Sequence, residues 1–204
     1  MSTDYEFNEE MAGRGDDVAM RIDTSAAYVG KFTEAWATTS QKGGDAIELH
    51  FETALKEKTQ FTLYTRQADG TPIFGQNQLQ AIMALMGLRG LKGVPGKVQQ
   101  YNNDTNKREE VDGVVYPDLC ERSIGLMLQK ELYDGNKGPA WRMNLYATYD
   151  PVTRRTSTEI KERVVKGTKV DKMLASLKDK NSRKNQTTVT PVVGAVAAPP
   201  DGSY

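Results

Sequence analysis

The sequence predicts a mainly β protein: a small Greek-key barrel with one helix in mid-domain, a short helix near the C-terminal end, and disordered tails. Three observations carry this. Period-two alternation of apolar and polar residues dominates from residue 26 to about 165, the spacing of half-buried strands. One stretch, 77–88, switches to helical spacing. Both ends lose the apolar pattern, so the ordered domain is expected over 24–180, between an acidic flexible segment at 1–23 and a disordered tail at 181–204.

The first strand is "AAYVGKFTEAWA" (26–37), with Tyr28, Gly30, Phe32 and Trp36 on one side and Val29, Lys31 and Thr33 on the other. In "AIELHFET" (46–53), Ile47, Leu49 and Phe51 point inward against Glu48, His50 and Glu52, which makes His50 a surface residue. "QFTLYTR" (60–66) repeats the pattern, with Phe61 and Leu63 inward and Tyr64 and Arg66 outward. The helix follows in "NQLQAIMALMGL", whose Leu79, Ile82, Met83, Leu85 and Met86 share a face. Asn77 is the expected N-cap and Gly87 or Gly90 the stop.

Immediately after it, "GLRGLKGVPGK" (87–97) looks like a phosphate-cradling loop but is not a P-loop. Leu91 stands where the first glycine is required and Val98 where Ser or Thr must hold magnesium, and a P-loop precedes its helix. The glycines are read as a helix stop and a flexible connection; the charges of Arg89, Lys92 and Lys97 remain to be explained.

Strands resume in "GKVQQYN" (96–102), "EVDGVVY" (110–116), "SIGLMLQKELYD" (123–134) and "AWRMNLYATYD" (140–150), with a weaker one in "TSTEIKERV" (156–164). "NNDTNK", "YPD" and "DGNKGP" supply the turns, and the last makes a hairpin of its two flanking strands. In 140–150, Trp141, Met143, Leu145 and Ala147 alternate with Arg142, Asn144, Tyr146 and Thr148. "VDKMLASLKDK" (170–180) forms the short amphipathic helix through Val170, Met173, Leu174 and Leu177.

Composition narrows the function classes. One cysteine, Cys120, excludes an internal disulfide framework and is read as a structural thiol; with His50 the only histidine, no zinc cluster can assemble. No apolar run approaches the roughly 20 residues that span a bilayer, and the acidic start lacks the basic and apolar parts of a signal peptide. An intracellular chain, without a cofactor and without membrane contact, is expected. The net charge of zero hides an asymmetry. Residues 1–23 hold seven acids and two bases, net −5, whereas 154–184 hold four acids and eleven bases, net +7. Such polarity points to a polyanionic partner, or to contact between the two ends.

Five to seven strands around one helix is the element order of an OB-fold-like barrel, and such barrels bind single strands on exposed aromatics flanked by cations. The outward faces supply Tyr64 with Arg66 and Arg142 with Tyr146; Tyr101 lies near Lys97 and Lys107, and Tyr133 near Lys130. Trp36 and Trp141 share sides with apolar residues and are read as core. Serine or cysteine hydrolysis lacks a placed base. A metal-dependent nuclease needs clustered carboxylates beside a lysine, for which Asp118, Glu159 and Lys161 are the only constellation. "RGD" (14–16), "NDT" and "NQT" support no function.

"YVGKFTEAWATTSQKGGDAIELHFET", "FTLYTRQADGTPIFGQNQLQAIMALMGL" and the later strands resemble phage-encoded single-stranded DNA-binding proteins of OB-fold type, over about residues 25–165. The resemblance implies a protein of DNA replication or recombination that coats transient single strands in the cytoplasm of the host cell, without sequence readout, enzyme activity or cofactor. Its partners would be single-stranded DNA, replication or recombination proteins, and copies of itself. Many of that family end in an acidic tail; this chain ends "APPDGSY", with Asp201 its only acid, so the acidic N-terminal segment is expected to compete for the groove instead. On this reading Tyr64, Tyr101 and Tyr146 stack bases. Arg66, Arg89, Lys97, Lys107 and Arg142 meet phosphates, and Arg154, Arg155 and Lys161 extend the positive track. A phage structural protein that self-associates through the same β domain is the alternative, and the nuclease a third.

Overall fold

A computed structural model of the chain describes residues 20–102, 105, 107–135 and 138–183. The tail readings for 1–19 and 184–204, including the competing acidic segment, lie outside the described residues. The fold is mainly β. Strands β1 (Ala26–Thr39), β2 (Asp45–Thr53) and β3 (Lys58–Tyr64) form a meander, and helix α1 (Phe74–Leu85) follows. Next come the hairpin β4 (Val94–Asn102) and β5 (Lys107–Val115), then the hairpin β6 (Ser123–Gly135) and β7 (Gly138–Tyr149). Two short helices, α2 (Ser157–Lys161) and α3 (Lys169–Ser176), lead to the two-residue strand β8 (Lys180–Asn181).

β1 organises the sheet. One edge pairs with β2 from Gly30 to Thr39, while the other pairs with β6 from Ala26 to Lys31 and meets β5 at Trp36–Val115. The path β3-β2-β1-β6-β7 therefore bends so that β3 and β7 approach each other, but no ladder joins them and the sheet is not closed. β8 adds to β6 in parallel at Glu131 and Leu132.

The inward side chains fill the space that this bend encloses. Phe32 meets Phe51 and Phe61 edge-on at centroid distances of 5.9 and 6.3 Å, a favoured geometry for ring quadrupoles. Leu79, Ile82, Met83 and Met86 bring α1 onto the same core. Ile22 belongs to it too, because Met20–Ile22 lies against Lys58, with Ile22 N–H donating to Lys58 O and Lys58 N–H to Met20 O. A second cluster of Met127, Tyr149 and Val170 lies on the opposite face of β6 and β7, where α3 covers it.

α1 stops where its sequence directs. Gly87 takes a positive φ of 69°, and the Leu88 and Gly87 amides donate to the carbonyls of Met83 and Ala84, a Schellman cap that satisfies two terminal acceptors. Its start differs from expectation: Ile73, not Asn77, is the capping position, and no side chain caps it. Docking fixes this end instead. Ile73 N–H donates to Thr65 O, and the main chain at Gly75 lies so close to Tyr64 that a Cβ there would run into the Tyr64 carbonyl oxygen. Glycine to alanine in a helix ordinarily stabilises by about 0.5–1 kcal/mol, whereas forcing atoms into a packed contact costs about 1–3 kcal/mol. Gly75→Ala is thus expected to lower the urea midpoint, and a raised midpoint would show the contact to be slack.

Three sequence readings are corrected. Trp36 does not share a side with Phe32, because a bulge between Phe32 and Glu34 flips the alternation. Ala35 then faces Leu49 in the core, and Trp36 lies with Glu34 and His50 on the other face. A second bulge at Tyr146 exchanges the sides of Ala147 and Thr148, so that Ala147 packs with Met127 and Tyr149. Finally, 157–161 is helix α2 rather than strand: Thr156 and Glu159 close a reciprocal capping box.

Candidate nucleic-acid interface

Where β3 and β7 approach without pairing, a cleft of about 580 Å³ runs along the seam. β3 contributes Gln60, Thr62 and Tyr64, and β7 contributes Trp141, Arg142 and Asn144. Gln129, Glu131 and Tyr133 enter from β6, with Arg21 from the segment before β1 and Lys180 from β8. Strand pleating explains the set. Gln60, Thr62 and Tyr64 alternate with the buried Phe61 and Leu63, and Arg142 and Asn144 alternate with Met143.

The rings and cations are already in contact. The Arg21 guanidinium lies 3.9 Å from the centroid of the Trp141 ring and the Lys130 ammonium 4.9 Å from it; Arg142 lies 5.1 Å from the Tyr133 ring. An aromatic face that holds a guanidinium also suits a nucleobase, while the displaced cation is placed for a phosphate.

Glu131 sets the electrostatics of the wall. It is 3% exposed and opposite Arg142 across the hairpin. Arg142 Nε (2.8 Å) and Asn144 Nδ2 (2.7 Å) donate to one carboxylate oxygen, Lys180 Nζ (2.7 Å) and Ser182 Oγ (2.6 Å) to the other. Burial pushes this carboxyl up, but the four donors outweigh burial and hold it well below the ordinary carboxylate range. Arg142 and Lys180 therefore present spare N–H donors rather than unpaired charges, whereas Arg21 has no acid partner among the described residues.

The β4–β5 hairpin crosses the polar face of β1–β3. It meets β1 at Val115, and toward its far end Arg108 donates to Gln60 Oε1 at 2.9 Å. Beneath it the His50 ring is 4.6 Å from Trp36, with Nδ1 3.2 Å from Glu34 and Nε2 buried and without a hydrogen-bond partner among the described residues. Burial pushes the His50 pKa down, against the pull of Glu34 and Glu48. His50 is on the polar face as expected, but half-buried rather than at the surface.

The remaining sequence candidates separate into groups. Tyr64 and Arg142 line the seam, and Tyr101 and Lys107 ride on the hairpin end that Arg108 ties to Gln60. Arg66, bridged to Pro72 and 3.9 Å from Asp45, sits just past Tyr64; Tyr146 occupies the β7 bulge. Arg89 is exposed after α1. Lys97 is not on a loop but within β4, ion-paired to its cross-strand neighbour Asp112 at 2.8 Å. Arg154 pairs with Asp171 at 2.8 Å and Arg155 donates to Val164 O, so both brace the C-terminal segment; Lys161 ends α2, exposed. Arg21, Tyr133, Trp141 and Lys180 complete the cleft. Of these, Tyr133 was recognisable beside Lys130, whereas Arg21 and Lys180 lie at opposite ends of the sequence and carry no local signal.

The nuclease constellation is not available as read. Both Glu159 oxygens accept hydrogen bonds from Thr156, Thr168 and Lys169, and no group of three His, Cys, Asp or Glu among the described residues is arranged to hold a metal ion. No described helix is long and apolar enough to cross a membrane. No family model matches the chain, and no curated protein matches it in sequence.

Proposed function

We propose that the protein binds single-stranded DNA without reading its sequence, as a coating protein of phage DNA replication or recombination. The observation that carries this reading is the unpaired β3–β7 seam, where Tyr64, Tyr133 and Trp141 lie among Arg21, Arg142 and Lys180. Exposed aromatic rings stack on any base, and cations beside them meet the backbone. The strand path supports it: a three-strand meander, a helix, and a hairpin returning to β1 is the plan of an OB-fold barrel, with β4–β5 as an added arm and the β3–β7 seam left open.

Tryptophan fluorescence tests the reading, because Trp141 lines the cleft and Trp36 is buried away from it. Titration with an oligo-dT is expected to quench emission in the wild type and in Trp36→Phe alike. The log of the binding constant should fall with log salt by about 0.7 per phosphate neutralised. No quenching at low salt overturns the proposal, and shortening of the oligonucleotide in the presence of magnesium favours the nuclease.

A further inference from the structure

Phe74 is 71% exposed at the first position of α1, where it fills no cavity and caps nothing. An aromatic ring of this size held in water is unexplained by packing, and its position is not free. Residues 72–75 are pinned against 64–66 by the Arg66–Pro72 bridge, by the Ile73 N–H to Thr65 O bond, and by the close approach of Gly75 to the Tyr64 carbonyl. One turn further along, Gln78 Nε2 donates to Leu145 O at 2.8 Å, next to the bulged Tyr146. Three of the exposed aromatic residues, Tyr64 (47%), Phe74 and Tyr146 (39%), therefore stand on the segments that meet at the start of α1, at the Tyr64 end of the seam.

We infer that Phe74, with Tyr64 and Tyr146, forms a stacking platform for an unpaired nucleobase beyond the cleft. The inference rests on the single-strand reading above. One feature favours a nucleobase over an apolar partner surface: the platform continues the ring-lined seam through Tyr64, which belongs to both.

The test compares Phe74→Ala and Phe74→Tyr with the wild type on long and short oligo-dT. Phe74 is exposed, so both variants should unfold at the wild-type temperature. Phe74→Ala is expected to weaken binding of the long oligonucleotide about tenfold with an unchanged salt slope, since stacking is not screened, whereas Phe74→Tyr binds like wild type. A short oligo-dT that fills only the seam should bind all three equally. Wild-type affinity of Phe74→Ala for the long oligonucleotide, while Tyr64→Ala weakens it, overturns the platform and leaves the seam standing. Absence of binding by the wild type overturns both.

Discussion

Replacing Glu159 by alanine is expected to destabilise the fold by about 3–5 kcal/mol, because a buried acceptor lost from several donors leaves each of them unsatisfied at about 1–3 kcal/mol, offset in part by water entry. Glu159 is 1% exposed. One oxygen accepts from the Thr156 amide (2.9 Å) and hydroxyl (3.1 Å), the other from the Thr168 (2.8 Å) and Lys169 (2.9 Å) amides. A single carboxylate thus serves the starts of α2 and α3 together, where the helix dipoles also favour negative charge. Burial pushes its pKa up, but these bonds prevail and hold it at about 2, against an ordinary value of 4.5. The folded pKa is the lower one, so the carboxylate's contribution is fully present above about pH 4.5 and is lost as pH falls toward about 2. Urea unfolding at neutral pH measures the alanine variant. Glu159→Gln isolates the titration: its stability should fall less between pH 5 and pH 3 than that of the wild type, even though Glu131 titrates in both. A loss under about 1 kcal/mol in the alanine variant would show that the two helix starts satisfy themselves without it.

The same glutamate shows why part of the fold was not read from the sequence. Thr156-Ser157-Thr158-Glu159 spells a capping box, yet the alternation of 156–164 suggested a strand; over so short a stretch, periodicity does not separate the two, and the cap decides. The long strands were legible because one face of each is buried, which fixes their pattern. The faces of Trp36 and Ala147 were not, since a bulge adds one residue and reverses every side chain beyond it without altering composition. At the site, Tyr64 and Arg142 were legible as outward residues of alternating strands. The acids that engage Arg142 and Lys97 were legible in principle, because the registers of the two hairpins place Glu131 and Asp112 directly opposite them. Arg21 and Lys180 reach the cleft because their segments are tied to the sheet, Arg21 through Lys58 and Lys180 through β8, and contacts of such separation leave no mark on local sequence.

Trp141→Leu should weaken oligo-dT binding about tenfold to a hundredfold, the range expected for one base stack of about 1–3 kcal/mol. Leucine is chosen because Trp141 also packs against the core, and an apolar replacement keeps much of that contact while removing the extended ring. The loss should be nearly independent of salt. Arg21→Ala and Lys180→Ala should act differently: each lowers affinity most at low salt, and Arg21→Ala reduces the salt slope by about 0.7 while Lys180→Ala reduces it by less. Lys180→Ala should show the smaller drop at any one salt concentration, because its charge is shared with Glu131, whereas the Arg21 guanidinium lies over the ring that a base would take. Arg154→Ala combined with Lys161→Ala serves as the contrast. Arg154 is committed to Asp171 and neither residue lines the seam, so affinity should change less than about twofold if binding is confined to the cleft and its aromatic end. A large loss in this double variant together with wild-type binding by Trp141→Leu would move the site to the basic C-terminal segment, where the charge of the sequence alone had placed its outer track.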